Sequence, residues 1–332
     1  MGASSSLDAA PLAQAMALVL TCCDGPQSTL DTAGVSAERI AELFWWMAGG
    51  AVVIWLAVVV LAVYAIHLRP EKHSQRAANR LIIGGGVALP TVVLAVLLVY
   101  ALSLMPGLET GPESTRFEIE VSGEQWWWRV RYRLPDGESF ELANEIRLPV
   151  GERVEIVLSS PDVIHSFWVP SIAGKRDMIP GRTTRLVLEP TRTGTFRGAC
   201  AEYCGESHAW MAFFVVVMEE DGFEAWLEHQ RSPGASRDDP IVTRGRELFL
   251  ESGCGACHTV RGTRADGVVG PDLTHVGSRV SLAAATLEND VSAFEHWIAF
   301  SKDVKPGAQM PRFRMLPAEE LAALAAYMES LQ

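Results

Sequence analysis

Residues 200–211 read CAEYCGESHAWM and place two thiols (Cys200, Cys204), an imidazole (His208), a thioether (Met211) and a carboxylate (Glu202) in one short stretch. Thiolate, imidazole and thioether together form a soft-to-borderline ligand set of the kind that suits copper. A one-copper blue site uses a single Cys, two His and a weak axial Met. The stretch therefore holds one thiolate in excess, and two coppers sharing two bridging sulfurs account for it. Each copper then wants its own imidazole. His208 supplies one, and His165 in DVIHSFWVP, on an apolar strand ahead of Pro170, is the candidate for the other. Alone, His165 would read as a satisfied core histidine; the downstream cluster is what makes it a ligand. Zinc could be held tetrahedrally by Cys200, Cys204, His208 and His165, but it leaves Met211 and Glu202 without a role. A Cys200–Cys204 disulfide is a third reading, and the crowd of other ligands counts against it.

A second constellation is CGACH, Cys254 to His258. This spacing is a c-type haem attachment motif, in which the thiols of Cys254 and Cys257 add to the haem and His258 binds the iron from one side. A redox or zinc dithiol has the same CxxC, so context decides: the motif lies in a helical region outside the membrane, where such haems are attached. The opposite axial ligand should be a Met or His well downstream. Met310, in the Pro-bounded KPGAQMPRF, is the candidate, with Met315 and His296 as alternatives.

These groups need elements to position them. Leu43 to Ile66 and Leu81 to Met105 are uncharged apolar runs, each longer than the roughly 20 residues that span a bilayer core, and they read as a transmembrane hairpin. The loop between them carries Arg69, Lys72, Arg76 and Arg80 against Glu71. A short basic loop belongs on the cytoplasmic side, so both termini and everything after about Pro106 face outward. Ala9 to Thr21 could be a signal segment and LTCC a lipoprotein-type site at Cys22 or Cys23, although no Lys or Arg precedes them. From Thr115 to Met218 short runs that alternate, such as TRFEIEV, or are continuously apolar, such as AFFVVVM, are punctuated by Pro/Gly turns, which predicts a Greek-key sandwich. RSPGASRDDP (231–240) is a linker, and beyond it the chain becomes helical and Ala/Leu-rich. The expected layout is an N-terminal segment (1–40), a membrane hairpin (41–106), a β domain (107–232), a linker (233–240) and an all-α domain (241–332). A net charge of −12 excludes a basic nucleic-acid face, and the mean hydropathy of +0.15 agrees with a membrane chain.

The pattern Cys-x-Glu-x-Cys-Gly-x-x-His-x-x-Met, together with the hairpin, GEQWWWRVRY, DVIHSFWVP and SIAGKRDMIPGR, resembles the copper A subunit, subunit II, of cytochrome c oxidase over roughly residues 28 to 225. The resemblance implies a cupredoxin-like sandwich on a two-helix anchor in the bacterial cytoplasmic membrane. It also implies a dinuclear copper A centre, with Cys200 and Cys204 bridging, His165 and His208 each on one copper, and Met211 and the Glu202 carbonyl as weak ligands. The Glu202 carboxylate would reach a magnesium at the interface with subunit I. Trp126, the first of three consecutive tryptophans, aligns with the family's electron-entry residue. Residues 241–332 resemble a class I cytochrome c: Pro271 would orient His258 through its carbonyl, and Gly245, Phe249, Leu324 and Tyr327 would form the helix crossing. Subunits I and III, a bc-type complex or other cytochrome as donor, and membrane lipid are the implied partners. Oxygen would be reduced to water, with proton pumping, on subunit I. One departure is that LIIGGGVALP lacks the Glu often found at the start of the second membrane helix. A membrane-anchored copper-delivery protein is the reading from another class, and it has no use for a covalent haem.

Overall fold

The structure, a computed structural model, describes residues 25–68, 74–109 and 116–332. The leader and lipidation readings at Ala9–Cys23, and the loop residues Arg69, Glu71 and Lys72, lie outside the described residues. The chain divides into two compact units, one of them the hairpin Glu38–Thr110.

In the hairpin, helix α1 (Val35–Val63) extends through a π-helical turn to Leu68. The second span is α2 (Gln75–Arg80), a π-helical stretch (Leu81–Ala88) and α3 (Leu89–Glu109). The continuous spans Val35–His67 and Gln75–Met105, 33 and 31 residues, exceed what a bilayer crossing requires. The π-helical stretch lies just ahead of Pro90, which has no N–H to give to the preceding turn. Thr91 Oγ1 donates to the Val87 carbonyl one turn back at 2.7 Å.

The other unit begins with two five-stranded mixed sheets. The first has the order β3 (Ser139–Ala143), β2 (Trp127–Arg133), β1 (Glu118–Glu124), β5 (Val154–Ser159), β8 (Thr184–Leu188). The second is ordered β4 (Glu145–Pro149), β10 (Ala212–Met218), β9 (Gly194–Cys200), β6 (His165–Trp168), β7 (Arg176–Met178). The pairs β1/β5 and β4/β10 are parallel and the others antiparallel. Strict alternation along β1 and β2 turns Ile119, Val121, Trp128, Val130 and Tyr132 into a common core with Phe167, Phe213 and Val215 of the facing sheet. Tyr132 ties the sheets together: its hydroxyl donates to the Arg147 carbonyl at 2.7 Å and accepts from the Arg147 N–H at 2.8 Å. Helix α4 (Glu220–Arg231), not anticipated from sequence, closes the end of this core with Phe223, Trp226 and Leu227, whose i, i+3, i+4 spacing was the available signal.

After the linker, α5 (Pro240–Glu251) starts where Asp239 caps the Ile241 N–H and proline occupies the first helical position. It crosses α7 (Ala318–Ser330), with α6 (Val291–Val304) packed alongside. At the crossing a Cβ on Gly245 would stand 1.9 Å from the Ala323 carbonyl oxygen, so only glycine permits this approach. Phe249 meets Tyr327 edge-on beside it. Between α5 and α6 the chain runs in turns and loops that include a two-residue ladder, β11 (Ser281–Leu282) with β12 (Leu287–Glu288). In the turn between them Ala283, Ala284 and Ala285 all have positive φ (51°, 61° and 59°), a conformation that L-residues adopt at a cost.

The β domain and the helical domain belong to one compact unit. Arginines of the β domain bind backbone carbonyls of the helical domain: Arg129 reaches Val268 and Val269, Arg147 reaches Ser278, and Arg197 reaches Ala285. The buried Glu145 carboxylate accepts from Arg147 and from the Val280 N–H.

Candidate functional site

Antiparallel pairing of β9 with β10 brings the ends of the CAEYCGESHAWM loop together, and the Cys200 N–H donates to the Met211 carbonyl at 2.9 Å. On the other side of β9, β6 runs antiparallel with Phe167 opposite Cys200, which delivers His165 from 35 positions upstream. His165 fits because β1 offers no side chain there: a Cβ on Gly123 would lie 3.0 Å from the imidazole. His208 sits on a 3-10 turn (His208–Trp210) between the loop and β10.

The donor atoms converge. The Cys200 and Cys204 sulfurs are 3.8 Å apart, too far for a disulfide. Cys200 Sγ lies 3.9 Å from His165 Nδ1 and 3.1 Å from the Glu202 carbonyl oxygen. Cys204 Sγ lies 3.5 Å from His208 Nδ1 and 3.7 Å from Met211 Sδ. His165, Cys200, Cys204 and Met211 are buried, whereas the Glu202 carboxylate is exposed. The His165–Cys200–Cys204 cluster, whose ligand atoms lie within 4.8 Å of one another, is a candidate copper site. The hydrogen-bonding Cys204 thiol draws Cys200 far below the usual thiol range, with His165 helping, and the resulting thiolate together with burial pushes Cys204 up. The pair thus yields one thiolate readily, and the second proton needs a cation to displace it.

Sequence reasoning missed Asp162, although a carboxylate three residues before a ligand His was a readable signal. Its Oδ1 stands 2.8 Å from His165 Nε2, which places the imidazole proton there and leaves Nδ1 free towards the sulfurs. Burial lowers the His165 pKa, but the Cys200 thiolate and Asp162 together raise it above the usual value. The same carboxylate accepts from the Gln125 N–H at 2.7 Å.

The adjacent Trp126 is half-buried, and its Nε1–H donates to the Cys204 carbonyl at 3.0 Å. The other two tryptophans serve the fold: Trp128 is buried among Phe167 and Phe213, and Trp127 lies under the Arg129 guanidinium.

A cavity of about 450 Å³ opens in the helical domain, lined by Cys254, Cys257, His258, Met310, Leu282 and Phe294 and walled on one side by β-domain residues that include Trp126. The His258 Nδ1–H donates to the Pro271 carbonyl at 2.8 Å, leaving Nε2 for a metal, while burial holds this imidazole below its usual pKa and favours the neutral ring. Burial raises the Cys254 thiol to about 11. Gly270 is required beside the ring, since a Cβ there would lie 2.4 Å from His258 Cε1. Arg279, only 9% exposed, also lines the cavity, and its Nε has no partner among the described residues. An apolar slot with an imidazole, a thioether, two thiols and an orphaned guanidinium nitrogen suits a flat iron-bearing group with carboxylate edges. Met315 is 72% exposed and His296 is exposed, and neither lines the cavity.

Residues 134–219 match the family described as "Cytochrome C oxidase subunit II, periplasmic domain", and residues 242–332 match "Cytochrome c". The chain is 33% identical to cytochrome c oxidase subunit 2 of Alkalihalophilus pseudofirmus, covering 96% of this chain and 95% of that protein. It is 27% identical to the Bacillus subtilis protein of the same name, over 95% of both. It is 30% identical to the alternative cytochrome c oxidase subunit 2 of Bradyrhizobium diazoefficiens, over 60% of this chain and 83% of that one. Among solved structures, the periplasmic domain of subunit II of cytochrome oxidase (CoxB) of Bradyrhizobium japonicum is 31% identical and covers 37% of this chain and 97% of its own, with a TM-score of 0.34.

Proposed function

Because the chain belongs to the cytochrome c oxidase subunit II family, with a cytochrome c domain fused to it, we propose that it passes electrons from a covalent haem c through a dinuclear copper A centre to haem a of subunit I. It is a component of a respiratory oxidoreductase complex, anchored by two membrane helices with its copper-type domain on the periplasmic face. Oxygen is reduced to water, with proton pumping, on subunit I. A copper pair and a haem supply centres that each gain and lose one electron.

The observation that carries the reading is the double donor set around one pair of thiols: His165 and the Glu202 carbonyl beside Cys200, His208 and Met211 beside Cys204. Cys200 and Cys204 would hold the coppers, with His165 and the Glu202 carbonyl, and His208 and Met211, as the flanking donors. A single zinc would use four of these six donors. Trp126 offers its indole as the entry contact, joined to a copper ligand by one hydrogen bond. Cys254 and Cys257 would attach the haem, His258 and Met310 would bind its iron, Pro271 orients His258, and the Arg279 guanidinium would be available to the haem carboxylates. The exposed Glu202 carboxylate is available to a magnesium ion where subunit I docks. Subunit III completes the complex, and a bc-type complex or another cytochrome feeds it.

The test is metal and spectral analysis of the full chain purified in detergent. Two coppers per covalent haem, with a mixed-valence copper signal that disappears in Cys204→Ser, is the expected result. Zinc, or one copper removed by mild chelation, would overturn the copper A assignment.

A further inference from the structure

Lys305, which caps the C-terminal end of α6, carries a charge that the surrounding fold leaves uncompensated. We infer that its buried ammonium is the charge-compensating group of the electron relay, offsetting the negative charge that each electron brings to the haem and to the copper pair and so holding both potentials up. The inference rests on the proposed relay for the identity of the two centres, but the placement of the charge is a matter of packing.

Lys305 is 4% exposed, and among the described residues its Nζ has a single acceptor, the Ala283 carbonyl at a long 3.4 Å. The residues after it fix the backbone. Ser207 Oγ donates to the Pro306 carbonyl, and Gly307, with φ of +76°, lies so close to the Trp126 ring that a Cβ there would stand 2.5 Å from Cζ3. Among the described residues no carboxylate pairs with the ammonium. On its own segment Lys302 and Asp303 are exposed, and Asp303 is taken by Arg312 at 2.9 Å. From the copper loop, Glu206 is exposed and turns its Oε2 to Gly307. The β11–β12 turn presents only the peptide carbonyls of its alanines. Lys305 also lines the cavity that holds Cys254, His258 and Met310, where the other charged wall, Arg279, is itself a cation. Burial draws the Lys305 pKa down to about 7, and the Cys204 sulfur, when ionised, is the group that pulls it back up. One ammonium therefore acts on both the haem cavity and the copper loop. A buried charge without a counter-ion is costly, and a methionine would fill the same space without that cost. Electron arrival supplies the missing counter-charge. A haem that passes from ferric to ferrous, or a copper pair that accepts one electron, gains one negative charge beside Nζ, while no bond forms or breaks and the proton stays on the lysine. A unit charge about 10 Å away, at an effective dielectric of about 20, favours the reduced form by about tenfold or more.

The test is a spectroelectrochemical titration of the full chain in detergent, copper-loaded and haem-attached, with an electrode supplying the electrons. At pH 6, where the parent ammonium is charged, Lys305→Met should lower the haem reduction equilibrium by about tenfold, or about 59 mV for one electron. The copper pair should shift in the same direction. Lys305→Gln, neutral but polar, should give the same shifts, because charge rather than packing is responsible. At pH 9 the parent amine is discharged, and the gap between parent and variants should close. A lysine with a purely structural role would alter unfolding and leave the potentials where they were. An unchanged potential at either centre at pH 6, a shift in only one of the two variants, or a gap that persists at pH 9 overturns the inference. So does a parent whose haem potential is flat from pH 6 to pH 9, a measurement that needs no variant to fold. A failure of the copper A reading shows instead as missing copper, with the haem shift and its pH dependence intact.

Discussion

Replacing Gly245 by alanine tests the helix crossing that frames the haem cavity. The new Cβ would meet the Ala323 carbonyl oxygen at 1.9 Å, its carbon at 2.6 Å and Tyr327 Cβ at 2.8 Å. Two of these obstacles are backbone of α7, so no rotamer change relieves them, and the helices must part by more than an ångström. Overpacking of this kind costs up to about 3 kcal/mol. Alanine regains about 1 kcal/mol of helix propensity over glycine, which leaves a net loss of about 2 kcal/mol. Hydrogen–deuterium exchange read by mass spectrometry on the detergent-solubilised chain measures this locally. At tenfold per 1.4 kcal/mol, peptides from α5 and α7 should exchange roughly 30-fold faster. Gly222→Ala in α4 is the control, because its Cβ would meet only Met218 Cε at an ordinary 3.6 Å, and it should leave exchange unchanged or slower. If Gly245→Ala also slows exchange, propensity outweighs the clash and the close crossing is not what holds these helices together.

Asp162→Asn removes the carboxylate behind His165 and should weaken copper retention by about 10- to 100-fold, since partners of ligand histidines carry effects of that size; competition with a chelator measures it, and unchanged retention would refute the orienting role. Breaking the interdomain clamp with Arg147→Ala leaves the buried Glu145 with the Val280 N–H alone and should cost about 3 kcal/mol of docking. Faster proteolysis within the 233–240 linker is the readout, and an unaltered digestion rate counts against the clamp. Burial pushes Lys305 down to about 7. A base depressed in the folded state carries its full penalty below that pH and sheds it as the pH rises towards the unfolded value of about 10.4. Stability of the helical domain should therefore climb across this window, and Lys305→Met should flatten the rise in urea unfolding profiles; a variant as pH-dependent as the parent would exclude Lys305 as the cause.

Much of the site could be read from sequence because its chemistry is local. Five of the copper-site donors fall within one loop, and CGACH carries the two thiols and an imidazole in five residues. His165 was recoverable only by asking what that loop lacked, since the proof is the pairing of β6 with β9. Nothing in the run Trp126-Trp127-Trp128 marks which ring is gripped: alternation buries Trp128 and turns Trp127 to the side of Arg129 two residues on, but the surroundings of Trp126 depend on Gly307, far away in the chain. The domain junction was invisible for the same reason. Glu145 reads as a solvated strand residue until residue 280 is placed against it. Helix α4 was hidden by brevity, its apolar stripe being only three residues long.

The junction has an asymmetry with an evolutionary reading. The β domain contributes guanidinium groups, which are side chains and can be lost by a single codon change, while the helical domain answers mostly with peptide carbonyls. A carbonyl survives nearly any substitution of its own residue. The surface chemistry of the cytochrome domain is therefore free to drift, for instance to suit a new external donor, without loosening its seat. Constraint on that seat falls instead on Arg129, Arg147 and Arg197, and on backbone shape at Gly307 and the left-handed alanines. Exchanging the cytochrome domain for a relative of similar backbone should accordingly be easier than exchanging the β domain beneath it.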